Sequence, residues 1–118
     1  MPTAVLIVDD HPSCRLSARR TLEAAGDYAI VGEAEDGAGA INAVRELDPD
    51  LVLLDVQLPD FDGFEVVSRL RAEGCCPDIV FMSTRDRSDY AREIASSGAR
   101  GFVAKDELSG DAVAALIV

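Results

Sequence analysis

Basic residues are scarce in this chain. Its 118 residues include 11 Lys and Arg against 22 Asp and Glu, a formal net charge of −11 at pH 7, with a pI near 4.3. That deficit argues against a nucleic-acid-binding surface, which needs a basic patch, and against docking on anionic membranes. The acidity itself favours solubility. No apolar run approaches the ~18 residues of a membrane span. Met1-Pro2-Thr3 leads straight into an apolar segment, so no signal peptide is expected. Cysteine is sparse and odd in number: Cys14, Cys75 and Cys76. The adjacent pair does not make a CxxC motif, and a reduced, cytoplasmic protein is the simplest reading. Repeats, low-complexity segments and linkers are also missing.

What is present is a regular alternation. The hydrophobic content of 48% is that of a globular protein, and the length fits one domain, residues 1–118. Strand 1 is expected at about 4–8. A helix opened by Pro12-Ser13 should run to about Ala25, with Leu16, Ala18, Leu22 and Ala25 inward and Arg15, Arg19, Arg20 and Glu23 more exposed. Gly26 ends it. Tyr28 to Glu33 reads as strand 2. Asp36-Gly37 is a turn, and a helix follows over Gly39–Leu47 with Ile41, Val44 and Leu47 inward, broken by Asp48-Pro49. Strand 3 is Leu51–Leu54. Helix 3 spans about Phe64–Glu73, strand 4 Ile79–Met82, helix 4 about Ser88–Ser97, and strand 5 Gly101–Ala104. Ser109 is a plausible N-cap for a last helix, Gly110–Val118. Alternation of this kind predicts an α/β fold, a parallel sheet with helices on both faces and right-handed crossovers. The last apolar run, Ala112 to Val118, calls for either a covering surface or a longer chain.

The chemistry gathers where the strands end. In open parallel sheets the carboxyl ends of the strands are the ligand-binding edge. Strand 1 ends in Asp9 and Asp10, and strand 3 in Asp55. Strand 4 ends in Ser83 with Thr84 beside it, and strand 5 in Lys105. Three neighbouring acids repel one another, and a divalent cation is the natural remedy; hard oxygen donors suit Mg²⁺. A carboxylate can accept a phosphoryl group to give an acyl phosphate. The metal and a lysine then counter the incoming charge, and a hydroxyl donates to a phosphoryl oxygen.

These residues resemble the receiver domain of two-component response regulators over essentially the whole chain. The resemblance rests on Val8-Asp9-Asp10-His11-Pro12, on Leu54-Asp55-Val56-Gln57-Leu58-Pro59-Asp60-Phe61-Asp62-Gly63, on Met82-Ser83-Thr84, and on Gly98-Ala99-Arg100-Gly101-Phe102-Val103-Ala104-Lys105. It implies a flavodoxin-like (CheY-like), doubly wound five-stranded sheet of order 2-1-3-4-5. It also implies that Asp55 is the phosphoacceptor, and that Asp9 and Asp10 hold Mg²⁺ (or Mn²⁺), Asp10 directly, together with Asp55 and the backbone carbonyl of Gln57. Ser83 becomes the switch hydroxyl, Lys105 the phosphate-pairing lysine, and Phe102 the aromatic that changes rotamer on activation. The resemblance further implies a histidine kinase or phosphotransfer protein as donor, and a homodimer on phosphorylation. The activity is that of a switch with self-catalysed phosphotransfer and slow autodephosphorylation, not of an enzyme. The stretch through Lys105-Asp106 resembles receivers that precede a helix-turn-helix DNA-binding domain, and a stand-alone regulator is the alternative.

Each of these residues has a plainer reading. Acids after a strand often serve a following helix through its dipole; a lysine is usually solvated, and Phe102 is core on composition alone. His11 reads as a loop residue before Pro12, and Asp60 and Asp62 as solvated. Pro59 would stiffen the loop, and Gly63 would permit a turn. Gln57 and Arg85 should flank the path of a hydrolytic water. A rival enzyme, a phosphatase of the haloacid dehalogenase type, needs a second acid two residues after its nucleophile; here that position is Gln57. A nucleotide-binding flavodoxin-like domain needs a Gly-rich phosphate loop after strand 1, which instead ends in acids.

Overall fold

The computed structural model describes residues 2–117. Five parallel strands form one sheet in the order β2-β1-β3-β4-β5. They are β1 (Thr3–Val8), β2 (Tyr28–Ala34), β3 (Leu51–Asp55), β4 (Asp78–Ser83) and β5 (Gly101–Ala104), alternating with helices α1 (Pro12–Ala25), α2 (Gly37–Leu47), α3 (Gly63–Ala72), α4 (Ala91–Ser97) and α5 (Gly110–Ile117). This is the expected doubly wound, flavodoxin-like order. Short 3₁₀ turns cover Arg87–Tyr90 and Lys105–Glu107. The first of these occupies the start of the helix expected at Ser88. Val118, the last residue of the expected final helix, lies outside the described residues, as does Met1.

The two-residue period of the strands divides the core between two faces. Val5 and Ile7 of β1, Leu51 and Leu53 of β3, and Val80 and Met82 of β4 pack with Ala18 and Leu22 of α1 and Val113 of α5. The intervening Leu6, Val8, Val52, Leu54, Ile79 and Phe81 pack under α2, α3 and α4, against residues such as Val44, Val66 and Ile94. Strands buried on both faces need continuous apolar runs, which is why these segments stood out in the sequence.

The helix ends follow local chemistry. Asp36 caps α2, its carboxylate accepting from Gly39 N, and Asp62 caps α3 by accepting from Glu65 N. Ser109 Oγ accepts from Ala112 N at 3.0 Å, as expected of a cap. Gly26 closes α1 with φ of 85°. Asp48 adopts a left-handed conformation, φ 46°, at the end of α2, and Pro49 prevents continuation. Three expected core positions are corrected. Leu16 is 46% exposed and Leu47 42%, and Ala25 is exposed. All three fit a helical stripe, but the buried stripe of α1 is narrow, centred on Ala18 and Leu22. Leu47 sits at the last turn of α2, where it only grazes the sheet above Gly32.

Candidate functional site

Register brings the acids together. Val8 of β1 pairs with Leu54 of β3, so the residues that follow, Asp9 and Asp55, stand side by side. Asp9 continues the strand, its N–H donating to Ala34 O. In residue parity Asp9 follows Val5 and Ile7, Asp55 follows Leu51 and Leu53, and Lys105 follows Val103. All three belong to the sheet face covered by α1 and α5. Lys105 Nζ lies 2.7 Å from Asp9 Oδ2 and 3.0 Å from Asp55 Oδ2. The ammonium thus ties three strand ends into one cluster.

Asp55 is buried. Its Oδ2 accepts from Lys105 Nζ, and its Oδ1 from Gln57 N at 3.1 Å. Burial pushes its carboxyl above the ordinary carboxylate range, against the pull of Lys105 and the Gln57 N–H; the Asp9 charge pushes the same way as burial. Burial alone would lower the Lys105 ammonium, but the bonds to Asp9 and Asp55 override it and raise its pKa. Asp9 is fully buried, and its Oδ1 accepts from His11 N at 2.9 Å. Its Oδ2 is ion-paired with Lys105 Nζ at 2.7 Å. Asp10 Oδ1 is buried without an aligned hydrogen-bond donor, 3.0 Å from His11 Nδ1. Carboxylates packed together repel, and one lysine does not neutralise three of them. Carboxylate oxygens of Asp9, Asp10 and Asp55 lie within 4.8 Å of one another, so the donor set fits a small hard cation.

A cavity of about 380 Å³ opens over this cluster, lined by Asp10, Cys14, Asp55, Gln57, Thr84 and Lys105 among others. Gln57 is exposed at its edge. Ser83 is buried at the end of β4, and its Oγ accepts from Arg85 N at 3.0 Å. Thr84, not Ser83, is among the lining residues, and Arg85 is exposed outside the lining. Phe102 is half-buried on β5, away from the carboxylates. Its ring centroid is 6.4 Å from that of Tyr90, which is 5.8 Å from Phe64; Phe64 in turn is 4.6 Å from Phe81.

A sequence model of the response regulator receiver domain matches residues 5–117. The chain belongs to the response regulator receiver family. This receiver is 41% identical over 103 residues to a putative transcriptional regulator of Pseudomonas aeruginosa, covering 87% of this chain and 49% of that protein. It is 34% identical over 115 residues to the nitrate/nitrite response regulator NarL of Escherichia coli, covering 98% and 53%. Among solved structures, it matches the signal receiver domain of the putative response regulator NarL from Mycobacterium tuberculosis with a TM-score of 0.88 and 32% identity, covering 97% of this chain and 94% of that one. The receiver spans about half the length of the curated relatives it matches. No described helix is long and apolar enough to cross a membrane.

Several residues of the site escaped the sequence reading. His11 does precede Pro12 in a loop, yet its Nδ1 is 3.2 Å from Asp9 Oδ1 and 3.0 Å from Asp10 Oδ1. Cys14, read only as a reduced thiol, lines the cavity. Asp62 is a cap, a role its Asp-x-x-Glu spacing to Glu65 could have signalled. Asp60 is a clamp: its carboxylate accepts from Gly37 N at 2.8 Å and Ala38 N at 3.0 Å, pinning the loop after β3 to the start of α2. Desolvation is the largest single influence and pushes upward, but these bonds and the Phe61 N–H together outweigh it and hold its carboxyl below the usual range. No local pattern announces a partner 23 residues away. Gly63 is required for space, not for a turn. A Cβ there would stand 2.7 Å from the Asp55 carbonyl oxygen.

Proposed function

We propose that residues 1–118 act as one phosphoacceptor receiver in which Asp55 takes a phosphoryl group from a histidine kinase or phosphotransfer protein. The observation that carries this reading is the buried Asp55 carboxylate held at 3.0 Å by Lys105, with carboxylate oxygens of Asp9 and Asp10 within 4.8 Å of its own. A carboxylate oxygen of Asp55 attacks phosphorus, the new O–P bond forms as the P–N bond of the phosphohistidine breaks, and the leaving imidazole takes up a proton. Lys105 already faces this oxygen and compensates the charge that arrives. Asp9, Asp10, Asp55 and the Gln57 carbonyl would hold Mg²⁺ (or Mn²⁺), which when bound draws charge from the phosphoryl oxygens. The cavity admits the donor from the side of Gln57 and Thr84.

The aspartyl phosphate brings about −2 in charge and strong acceptor oxygens. Ser83 Oγ then exchanges its Arg85 N–H for a phosphoryl oxygen, the loop after β4 follows, and Phe102 turns inward. The surface of α4, β5 and α5 changes with it, a local charge event that biases a two-state element. Regulation of transcription through a following DNA-binding segment fits the half-length match to transcription regulators; homodimer formation on the changed surface would accompany it, and a stand-alone regulator acting through protein contacts is the alternative. The chain itself works as a switch in the cytoplasm, with slow autodephosphorylation. The test is labelling with a small phosphorylated acyl donor and Mg²⁺. Wild type should incorporate label, Asp55→Asn should not, and normal labelling of Asp55→Asn would refute the assignment.

A further inference from the structure

The acidic cluster carries a second donor set of different chemistry. A carboxylate oxygen of Asp9, a ring nitrogen of His11 and the Cys14 sulfur lie within 4.8 Å of one another. We propose that Asp9, His11 and Cys14 form a site for a borderline-soft divalent cation, Zn²⁺ or Co²⁺, that shares Asp9 with the Mg²⁺ site and excludes Mg²⁺ when filled. This deepens the phosphoacceptor reading and, for its regulatory consequence, rests on it.

The first argument is donor type. Mg²⁺ prefers oxygen and keeps its waters, whereas imidazole and thiolate select Zn²⁺ and its neighbours. One carboxylate, one imidazole and one thiolate leave a fourth tetrahedral position for water. The second is geometry. Bonds of about 2.0 Å at tetrahedral angles set adjacent oxygen and nitrogen donors about 3.3 Å apart; Asp9 Oδ1 and His11 Nδ1 are 3.2 Å apart. The third is placement: Asp9, fully buried, and Cys14 line the same cavity of about 290 Å³. Cys14 borders the cavity over Asp55 as well.

The local fold holds the three donors near one another. His11 precedes α1, and Cys14 lies in its first turn, with Cys14 N donating to His11 O at 3.1 Å. His11 N is bound to Asp9 Oδ1. On coordination the Cys14 thiol proton passes to solvent, and no electron transfer is involved. Asp9 cannot serve both cations in their own geometries, so the softer ion blocks phosphorylation of Asp55.

The experiment titrates metal-free protein with Co²⁺ under a non-thiol reductant and follows the sulfur-to-cobalt charge-transfer absorption. Wild type should show the band, and Zn²⁺ should abolish it. Cys14→Ser should lose it, His11→Ala should weaken Co²⁺ binding beyond the about 10–100-fold typical of an outer-shell change, and Cys75→Ser/Cys76→Ser should keep it. Absence of the band in wild type, its survival in Cys14→Ser, or its loss only in the Cys75/Cys76 variant overturns the site. Mg²⁺-dependent labelling of wild type is measured alongside, with and without Zn²⁺. No labelling even without Zn²⁺ would defeat the phosphoacceptor reading and leave the cobalt band standing. Labelling unaffected by saturating Zn²⁺ would defeat the exclusion.

Discussion

Asp55 carries a charge that its surroundings resist. Burial raises its carboxyl pKa despite Lys105 and the Gln57 N–H. The folded state therefore binds the Asp55 proton more tightly than the unfolded chain does, and stability falls as pH rises from the ordinary carboxylate value through the raised one. Above that window the penalty is constant. Asp55→Asn removes the titration, so its stability advantage over wild type should grow through the same window and then level off. Urea unfolding of both proteins in chelator across acidic to neutral pH measures this; an advantage that shrinks with rising pH would contradict it. Gln57 and Arg85 define another residue-scale prediction. Gln57 edges the cavity, and Arg85 follows the hydroxyl that should move. Gln57→Ala/Arg85→Ala should alter the lifetime of the acyl phosphate, and an unchanged rate of autodephosphorylation would exclude them from the water path.

At the scale of elements, the loop from Asp55 to α3 is the most constrained part of the site. Asp60 clamps it to α2, Asp62 starts α3, and Gly63 N donates to Val56 O at 2.8 Å. A Cβ at Gly63 would strike the Asp55 carbonyl, which is rigid backbone. Gly63→Ala should therefore destabilise the fold by about 1–3 kcal/mol, the range of overpacked interiors, and slow labelling of Asp55 as its peptide shifts. Unfolding and labelling at wild-type levels would show that the loop yields. Most elements were legible in the sequence because β1, β3 and β4 are buried on both faces and read as unbroken apolar runs. What was missed lies where position along the chain conceals proximity. The Asp60 clamp and the approach of Cys14 to Asp9 depend on loop paths, and the exposure of Leu16 and Leu47 on how narrowly each helix meets the sheet. Tyr90, at the end of the 3₁₀ turn that takes the place of the expected start of α4, lies between Phe64 and Phe102.

For the whole molecule, the sheet order explains why acids that repel are nevertheless adjacent. β1 and β3 are neighbours in the sheet though Val8 and Leu54 are 46 positions apart in the chain. The core formed by their apolar runs stabilises an edge that charge repulsion opposes, and Lys105 offsets part of that repulsion. The site residues were legible as strand-end groups. Their division into metal holders and one nucleophile came from likeness to a family, because three carboxylates in sequence look alike. The most direct test of that division is to phosphorylate the receiver with a small phosphorylated acyl donor and Mg²⁺, trap acyl phosphate by borohydride reduction, and locate the reduced residue by peptide mass spectrometry. The account predicts reduction at Asp55 alone, abolished by chelator. Reduction at Asp9 or Asp10, or trapping at Asp55 that persists without a divalent cation, would contradict it.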